Sequence, residues 1–295
     1  ATHLIIDVPV PLLLIGFAVL GLLLQIFLSY GSYAKYLKWL ALILVSYIIT
    51  AYFIKIDWVA VLQSSLIPTI TWSKDQIYLI CAILGTTISP YLFFWQTSQE
   101  VESQIEAGNT SIASRVNSVT PGEIKDMRID VWSGMFLSNL VMFFIILVSA
   151  VSLGSQGITS ISSISDAALA LKPLAGNQAF LLFTLGIVGT GLLTVPVLAG
   201  SASYAMSETF GWKSGLNKKL KEASAFYGMI IISTLVGLGI NFTGLDPIKA
   251  LIYSAVLNGL IAPVVLILIV LISSNRKIMK DKTNHPILTI LGWSI

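Results

Sequence analysis

Apolar residues in this chain run in long unbroken blocks. They neither alternate nor recur on one helical face. The blocks lie at about residues 8–29, 36–56, 76–97, 131–153, 178–205, 224–243 and 248–273. Each is near the ~20 residues that a helix needs to cross the hydrocarbon of a bilayer. An eighth block opens at Pro286 and reaches only Ile295, an incomplete span. The stretches between blocks are short, and no soluble domain separates them. The pattern predicts an all-α polytopic membrane protein, with residues 1–295 forming one transmembrane domain.

The basic residues orient these spans. All 17 Lys and Arg fall in connections or at span ends, none mid-membrane. Thirteen lie in the first, third, fifth and seventh connections, and four in the others. An excess of Lys and Arg marks the cytoplasmic side. The odd connections are therefore predicted in the cytoplasm and residue 1 outside, in a multi-pass plasma-membrane protein. The chain lacks an initiator Met, starts outside and ends within a helix. Residues 1–7 carry no basic residue, and the first block is too long for a signal-peptide core. These features predict an N-terminally truncated piece of a longer transporter-like chain.

Composition agrees and narrows the function. The chain is 56% hydrophobic and 11% charged, with a net charge of +3. The mean hydropathy is +0.87. So few charges exclude a disordered chain and a nucleic-acid-binding surface. The single cysteine, Cys81, has no partner for an internal disulfide. The two histidines, His3 and His285, lie at the chain ends. No Asp, Glu, Lys, Arg or His falls near the centre of a span. A retinal Schiff base, an intramembrane protease and a carboxylate–histidine proton relay all need such residues. The prediction is a non-enzyme without a cofactor.

The chemistry that remains is concentrated in the third span. Its middle reads Gly85-Thr86-Thr87-Ile88-Ser89-Pro90-Tyr91. Proline has no N–H, so Pro90 frees the carbonyl four residues back, that of Thr86. Thr86, Thr87, Ser89 and Tyr91 surround the break with hydroxyls. Carbonyl and hydroxyl oxygens at mid-membrane form a hard ligand set, suited to Mg, Ca and Mn. Broken helices of this kind build ion and substrate sites in transporters. A plain proline kink, with hydroxyls bonded back to the helix, reads equally well from these residues.

Other polar positions are weaker candidates. Asn258, beside Gly259 and one turn before Pro263, offers an amide to a central site or to a neighbouring helix. Asn139 and Gln25 are further intramembrane amides. The glycine-rich run Gly186–Pro196 has no preceding strand, so it predicts close helix packing and not a phosphate loop. Residues 98–130 form the longest loop and carry Glu100, Glu102, Glu106, Glu123, Asp126 and Asp130. That loop is expected to hold a helix and a disordered stretch near 108–118. Its acids make either a cation-attracting mouth or an ordinary solvated face. A short outer helix is expected at 162–171, and the lysines at 218–221 read as topology anchors.

The run from Gly85 to Glu102, reading GTTISPYLFFWQTSQEVE, resembles the natural resistance-associated macrophage protein (Nramp) family of divalent-metal transporters. It is most similar to the divergent bacterial branch with Ile-Ser-Pro-Tyr in the sixth helix. Trp132–Val148, Phe180–Ala205, Tyr227–Asn241, Asp246–Leu251 and Asn258 also fit. The resemblance covers helices four to ten and the start of eleven. It implies a partial LeuT-like fold of two inverted repeats, with metal held between broken helices one and six. Helix one is not in this chain.

The resemblance also implies roles. Family members carry Met-Pro-His-Asn where this chain has Ser89, Pro90, Tyr91 and Leu92. Thr86 stands where a carbonyl contacts the metal, and Asn258 falls near a helix-ten glutamine. The implied metal set is Thr86, Ser89, Tyr91 and Asn258, with Pro90 as the break. Loss of the thioether at Ser89 implies relaxed selectivity toward Mg²⁺ or Mn²⁺. Tyr91 in place of His, and no basic residue in Ala223–Asn241, imply weak or absent proton coupling. The expected partners are a divalent cation as substrate and the lipid bilayer. The rival expectations are a conventional proton-coupled Mn²⁺/Fe²⁺ transporter, a LeuT-type symporter of an organic solute, and a non-transporting membrane subunit.

Overall fold

The computed structural model describes residues 7–27, 35, 39, 41–154, 157 and 164–294. Among them the regular structure is helical, with no strand. Helix α1 spans Val10–Phe27. A 3₁₀ turn at Leu42–Leu44 leads into α2, Val45–Tyr52. Then come α3 (Trp58–Leu66), α4 (Lys74–Thr87), α5 (Pro90–Glu106) and α6 (Ile112–Ser118). They are followed by α7 (Pro121–Gly154), α8 (Ile164–Phe210), α9 (Ser224–Ile240) and α10 (Pro247–Ser274). Two short helices, α11 (Arg276–Met279) and α12 (Pro286–Ser294), end the chain.

Among the described residues, five helical stretches are long and apolar enough to cross a membrane. They are Val10–Phe27, Lys74–Glu106, Pro121–Gly154, Gly176–Phe210 and Pro247–Ser274. Leu42–Tyr52 and Ser224–Ile240 are shorter apolar helices. The seven fall on the seven apolar blocks of the sequence. The block at 36–56 is only partly described, and residue 1 lies outside the described residues. The outer helix expected at 162–171 appears from Ile164 as the first part of α8. Gly176 then breaks the rod at φ 80°, a backbone angle that glycine adopts at no steric cost.

The loop at 98–130 differs from expectation. The stretch near 108–118, expected to be disordered, folds into α6. Ser111 caps it by accepting from Ser114 N at 3.1 Å. Ser118 Oγ donates to Gln104 Oε1, and Asn109 Nδ2 donates to the same oxygen, both at 2.9 Å. These short-range polar ties outweigh the low hydrophobicity of the segment. Helix α7 starts ten residues ahead of its apolar block. Thr120 and Glu123 form a reciprocal capping box, with Pro121 at the first helical position.

The chain resolves into two compact units, one of residues 1–68 and 94–248, the other of 69–93 and 249–295. In the first unit, Tyr47, Val141, Val148, Ala179, Phe180 and Phe183 form one core, with the Tyr47 and Phe183 rings edge-on at 5.3 Å. The glycine-rich run serves this core. A Cβ at Gly186 would strike Tyr47 and Ser46, and one at Gly189 would strike Ile43. A second core gathers Ala199, Tyr204, Leu216, Phe226, Tyr227 and Ile230.

In the same unit, Asp57 caps α3 by accepting from Val59 N and Ala60 N, each at 3.1 Å. Asp57→Ala is expected to cost about 1 kcal/mol of stability. The check is a lower thermal midpoint in detergent.

In the second unit, α12 folds back on α10. Gly292 abuts Val270, and Asn284 Nδ2 donates to Ser273 Oγ at 2.9 Å. Helix α4 enters through a turn organised by Gln76. Its side-chain oxygen accepts from Thr71 N at 2.6 Å and Trp72 N at 3.1 Å. Those bonds hold Trp72 at a left-handed φ of 52°.

Candidate metal site at the helix break

The third apolar block is two helices, not one kinked rod. Helix α4 ends at Thr87, and α5 starts at Pro90. The last regular bond runs from Ile88 N to Leu84 O, at 2.7 Å. Pro90 offers no N–H to Thr86 O, so the ladder stops there. Thr86 O therefore lacks its helical donor, and among the described residues no backbone bond from beyond the break reaches Gly85 O.

Ser89 fills that gap. Its side chain is buried at 1% exposure. Its Oγ donates toward Gly85 O at 2.9 Å and Thr86 O at 2.8 Å. One hydroxyl hydrogen thus serves two acceptors. The Ser89 lone pairs stay available as ligand electrons. The Thr86 carbonyl is capped and not bare.

The remaining site residues vary in position. Thr86 Oγ1 donates to Ile83 O at 2.8 Å, and Thr87 Oγ1 donates to the same carbonyl at the same distance. Both hydroxyls thus bond back to their own helix, leaving the Thr86 carbonyl as its contribution to a site. Pro90 is buried, and Tyr91 is half-buried on the first turn of α5.

Asn258 sits on α10, half-buried, one residue before the closest approach of α10 to α4. That approach is backbone on backbone. A Cβ at Gly85 would overlap Ala255 O and the Gly259 backbone, and a Cβ at Gly259 would overlap Cys81 O. Cys81 Sγ also lies 3.8 Å from Val256 O. Small residues at Cys81, Ala82, Gly85, Ala255 and Gly259 permit this contact. The contact brings the stretch of α10 around Asn258 against α4 near Cys81 and Gly85. No hydrogen bond joins its amide to Thr86 or Ser89.

The weaker sequence candidates bond locally. Asn139 Nδ2 donates to Met135 O at 2.8 Å, within its own helix. Gln25 is buried and donates to Gly21 O at 3.4 Å. Among the described residues no group of three or more His, Cys, Asp or Glu is placed to hold a metal.

One polar residue was misjudged from sequence. Glu102 belonged to the loop acids, read as a mouth or a solvated face. It is instead buried at 2% exposure, one turn before the end of α5. Its partners lie more than 100 residues away along the chain. Nothing in the local pattern distinguishes it from Glu100 or Glu106.

Known proteins with similar sequences identify the family of the chain. The family model described as natural resistance-associated macrophage protein-like matches residues 1–295. The chain is 27% identical over 252 residues to a divalent metal cation transporter MntH of Caldanaerobacter subterraneus subsp. tengcongensis. That match covers 85% of this chain and 55% of the relative. It is 25% identical over 249 residues to the MntH of Yersinia enterocolitica, covering 84% and 55%. It is 24% identical over 221 residues to the MntH of Mycobacterium leprae, covering 75% and 47%. The chain thus spans about half the length of these relatives. A family match over every residue, on an all-α chain of membrane-length helices, makes it a member of the natural resistance-associated macrophage protein-like family.

Proposed function

We propose that the complete protein carries divalent metal cations across the plasma membrane by alternating access, with the break at Ile88–Ser89 on the ion path. The observation that carries this reading is the pair of carbonyls at Gly85 and Thr86, capped only by one shared hydroxyl. Relatives named as divalent metal cation transporters support it.

The chemistry follows from the oxygens. An arriving cation takes the place of the Ser89 hydrogen as the positive partner of the Thr86 carbonyl. Ser89 then turns a lone pair to the ion. Tyr91 adds a hydroxyl, directly or through metal-bound water, and Asn258 adds an amide oxygen from α10. Such a set is hard, neutral and free of sulfur, which favours Mg²⁺ or Mn²⁺ over softer ions. Position 91 holds tyrosine and not histidine, so the break lacks the imidazole that a proton-coupled site would use. Metal movement is therefore expected with little or no proton movement.

The test is flux into proteoliposomes holding the complete protein, with a metal dye and a pH dye trapped inside. Mg²⁺ and Mn²⁺ are supplied separately. Entry of either without acidification is the expected result. Entry of Mn²⁺ alone, with acidification, would overturn the hard-ligand, uncoupled part of the reading. No entry of either would overturn the transport reading and leave Pro90 a structural kink.

A further inference from the structure

A buried carboxylate sits at the far end of the broken helix, away from the break. Glu102 Oε1 accepts from Tyr204 Oη at 2.8 Å and from Leu216 N at 2.9 Å. Its Oε2 accepts from Asn217 N at 3.2 Å. Tyr204 belongs to α8, and residues 216 and 217 to the loop joining α8 to α9. One side chain on α5 therefore holds two other parts of the same compact unit.

The loop is shaped around this group. Gly215 adopts φ 134°, and a Cβ there would press on Glu102 Oε1. Trp212 N donates to Ser207 O and Lys218 Nζ to Ser214 O, both at 2.8 Å. Tyr227 Oη closes the far side on Lys218 O at 2.7 Å. The Tyr204 ring packs edge-on to Trp95 of α5 and against Phe226 of α9. Among the described residues no Lys or Arg forms an ion pair with Glu102.

Burying a carboxylate is costly unless its oxygens are hydrogen-bonded, and apolar residues often stabilise such places better. Its chemistry points to a different use. A carboxylate can accept at once from a phenol and from two successive backbone N–H groups. An apolar side chain could fill the space but could not hold the loop in one register.

We propose that Glu102 is a positioning residue. It clamps the end of α5 to α8 and to the loop at 211–217, so that movement at the break is taken up by α4 and not by sliding of α5. This rests on the transport reading. The clamp lies at the end of α5 that the charge pattern assigns to the cytoplasm. Releasing it should therefore slow turnover without altering the ion site.

The experiment compares the complete protein with Glu102→Gln, Glu102→Asp and Tyr204→Phe. Two readouts are taken. The first is tryptic cleavage in detergent at Lys213, Lys218, Lys219 and Lys221, which requires the loop to open. The second is metal flux in proteoliposomes, resolved into KM and maximal rate. Glu102→Gln is expected to speed loop cleavage roughly tenfold and to lower the maximal rate several-fold, with KM unchanged. Glu102→Asp should recover part of both. Tyr204→Phe removes one donor without changing the ring, so it should fold and show the same changes at smaller size.

Unchanged cleavage in Glu102→Gln would overturn the clamp. Faster cleavage with unchanged flux would overturn the positioning role and leave a plain loop anchor. An unaltered protein that moves no metal would overturn the transport reading, and the positioning role with it. The cleavage arm would still decide the clamp.

Discussion

Ser89→Met is expected to move ion preference from Mg²⁺ toward Mn²⁺ and Cd²⁺. The change acts twice. It removes the hydroxyl that caps Gly85 O and Thr86 O. It also places a soft thioether in a fully buried position beside the break. Thioethers favour softer metals, and a bulkier side chain leaves less room for an ion that keeps its water, as Mg²⁺ does. A shift of about tenfold in the Mn²⁺/Mg²⁺ flux ratio corresponds to ~1.4 kcal/mol of differential binding. Ser89→Ala is the companion variant. It removes the cap without adding sulfur, so it should lower flux of both ions and leave their ratio near that of the parent. Competition of Cd²⁺ against Mn²⁺ uptake provides the measurement. An unchanged ratio in Ser89→Met would take Ser89 out of the ion path.

The second large effect is expected at Gly85. Gly85→Ala adds one methyl group where the neighbours are Ala255 O and the backbone of Gly259. Backbone atoms inside two helices cannot move aside as a side-chain tip can. Overpacking of this type costs ~1–3 kcal/mol, and a backbone clash falls at the upper end. Gly259→Ala should behave alike, because its methyl would meet Cys81 O. Gly16→Ala and Gly237→Ala are the controls, since a Cβ at either meets nothing within 4 Å. In a helix they should be neutral or slightly stabilising. The readout is the thermal midpoint of the protein in detergent. If Gly85→Ala matched the controls, the contact between α4 and α10 would be refuted.

The apolar helices were legible because a bilayer demands continuous apolar length; among the described residues five of the seven blocks carry helical stretches long enough to cross one, and two carry shorter helices. The break was legible for a similar reason. A proline missing its N–H disrupts a helix wherever it sits, so Pro90 announced itself. What Ser89 does there was only half visible. The hydroxyl was identified beside the break, but its capture of two carbonyls depends on how α4 ends. Helix α6 was missed because its stability comes from polar bonds among Gln104, Asn109 and Ser118, and a hydrophobicity pattern does not register those. Glu102 was missed because burial of a charge is decided by distant donors. The glycines at 186 and 189 were read as packing residues without knowledge of what they pack against. Tyr47 and Ile43 supply that answer only in three dimensions.

The contact of Gly85 with Gly259 sets a dimension as well as a packing arrangement. Where two helices touch through side chains, their separation can be tuned by exchanging a valine for an alanine. Where they touch through main chain, nothing remains to trim. The separation of α4 and α10 beside the break is therefore a fixed gauge. On the proposed function, changes in which ion fits are expected from positions 86, 89 and 258 beside that gauge and from position 91 on α5. On that reading, retuning for another metal should vary those four positions and hold both glycines constant.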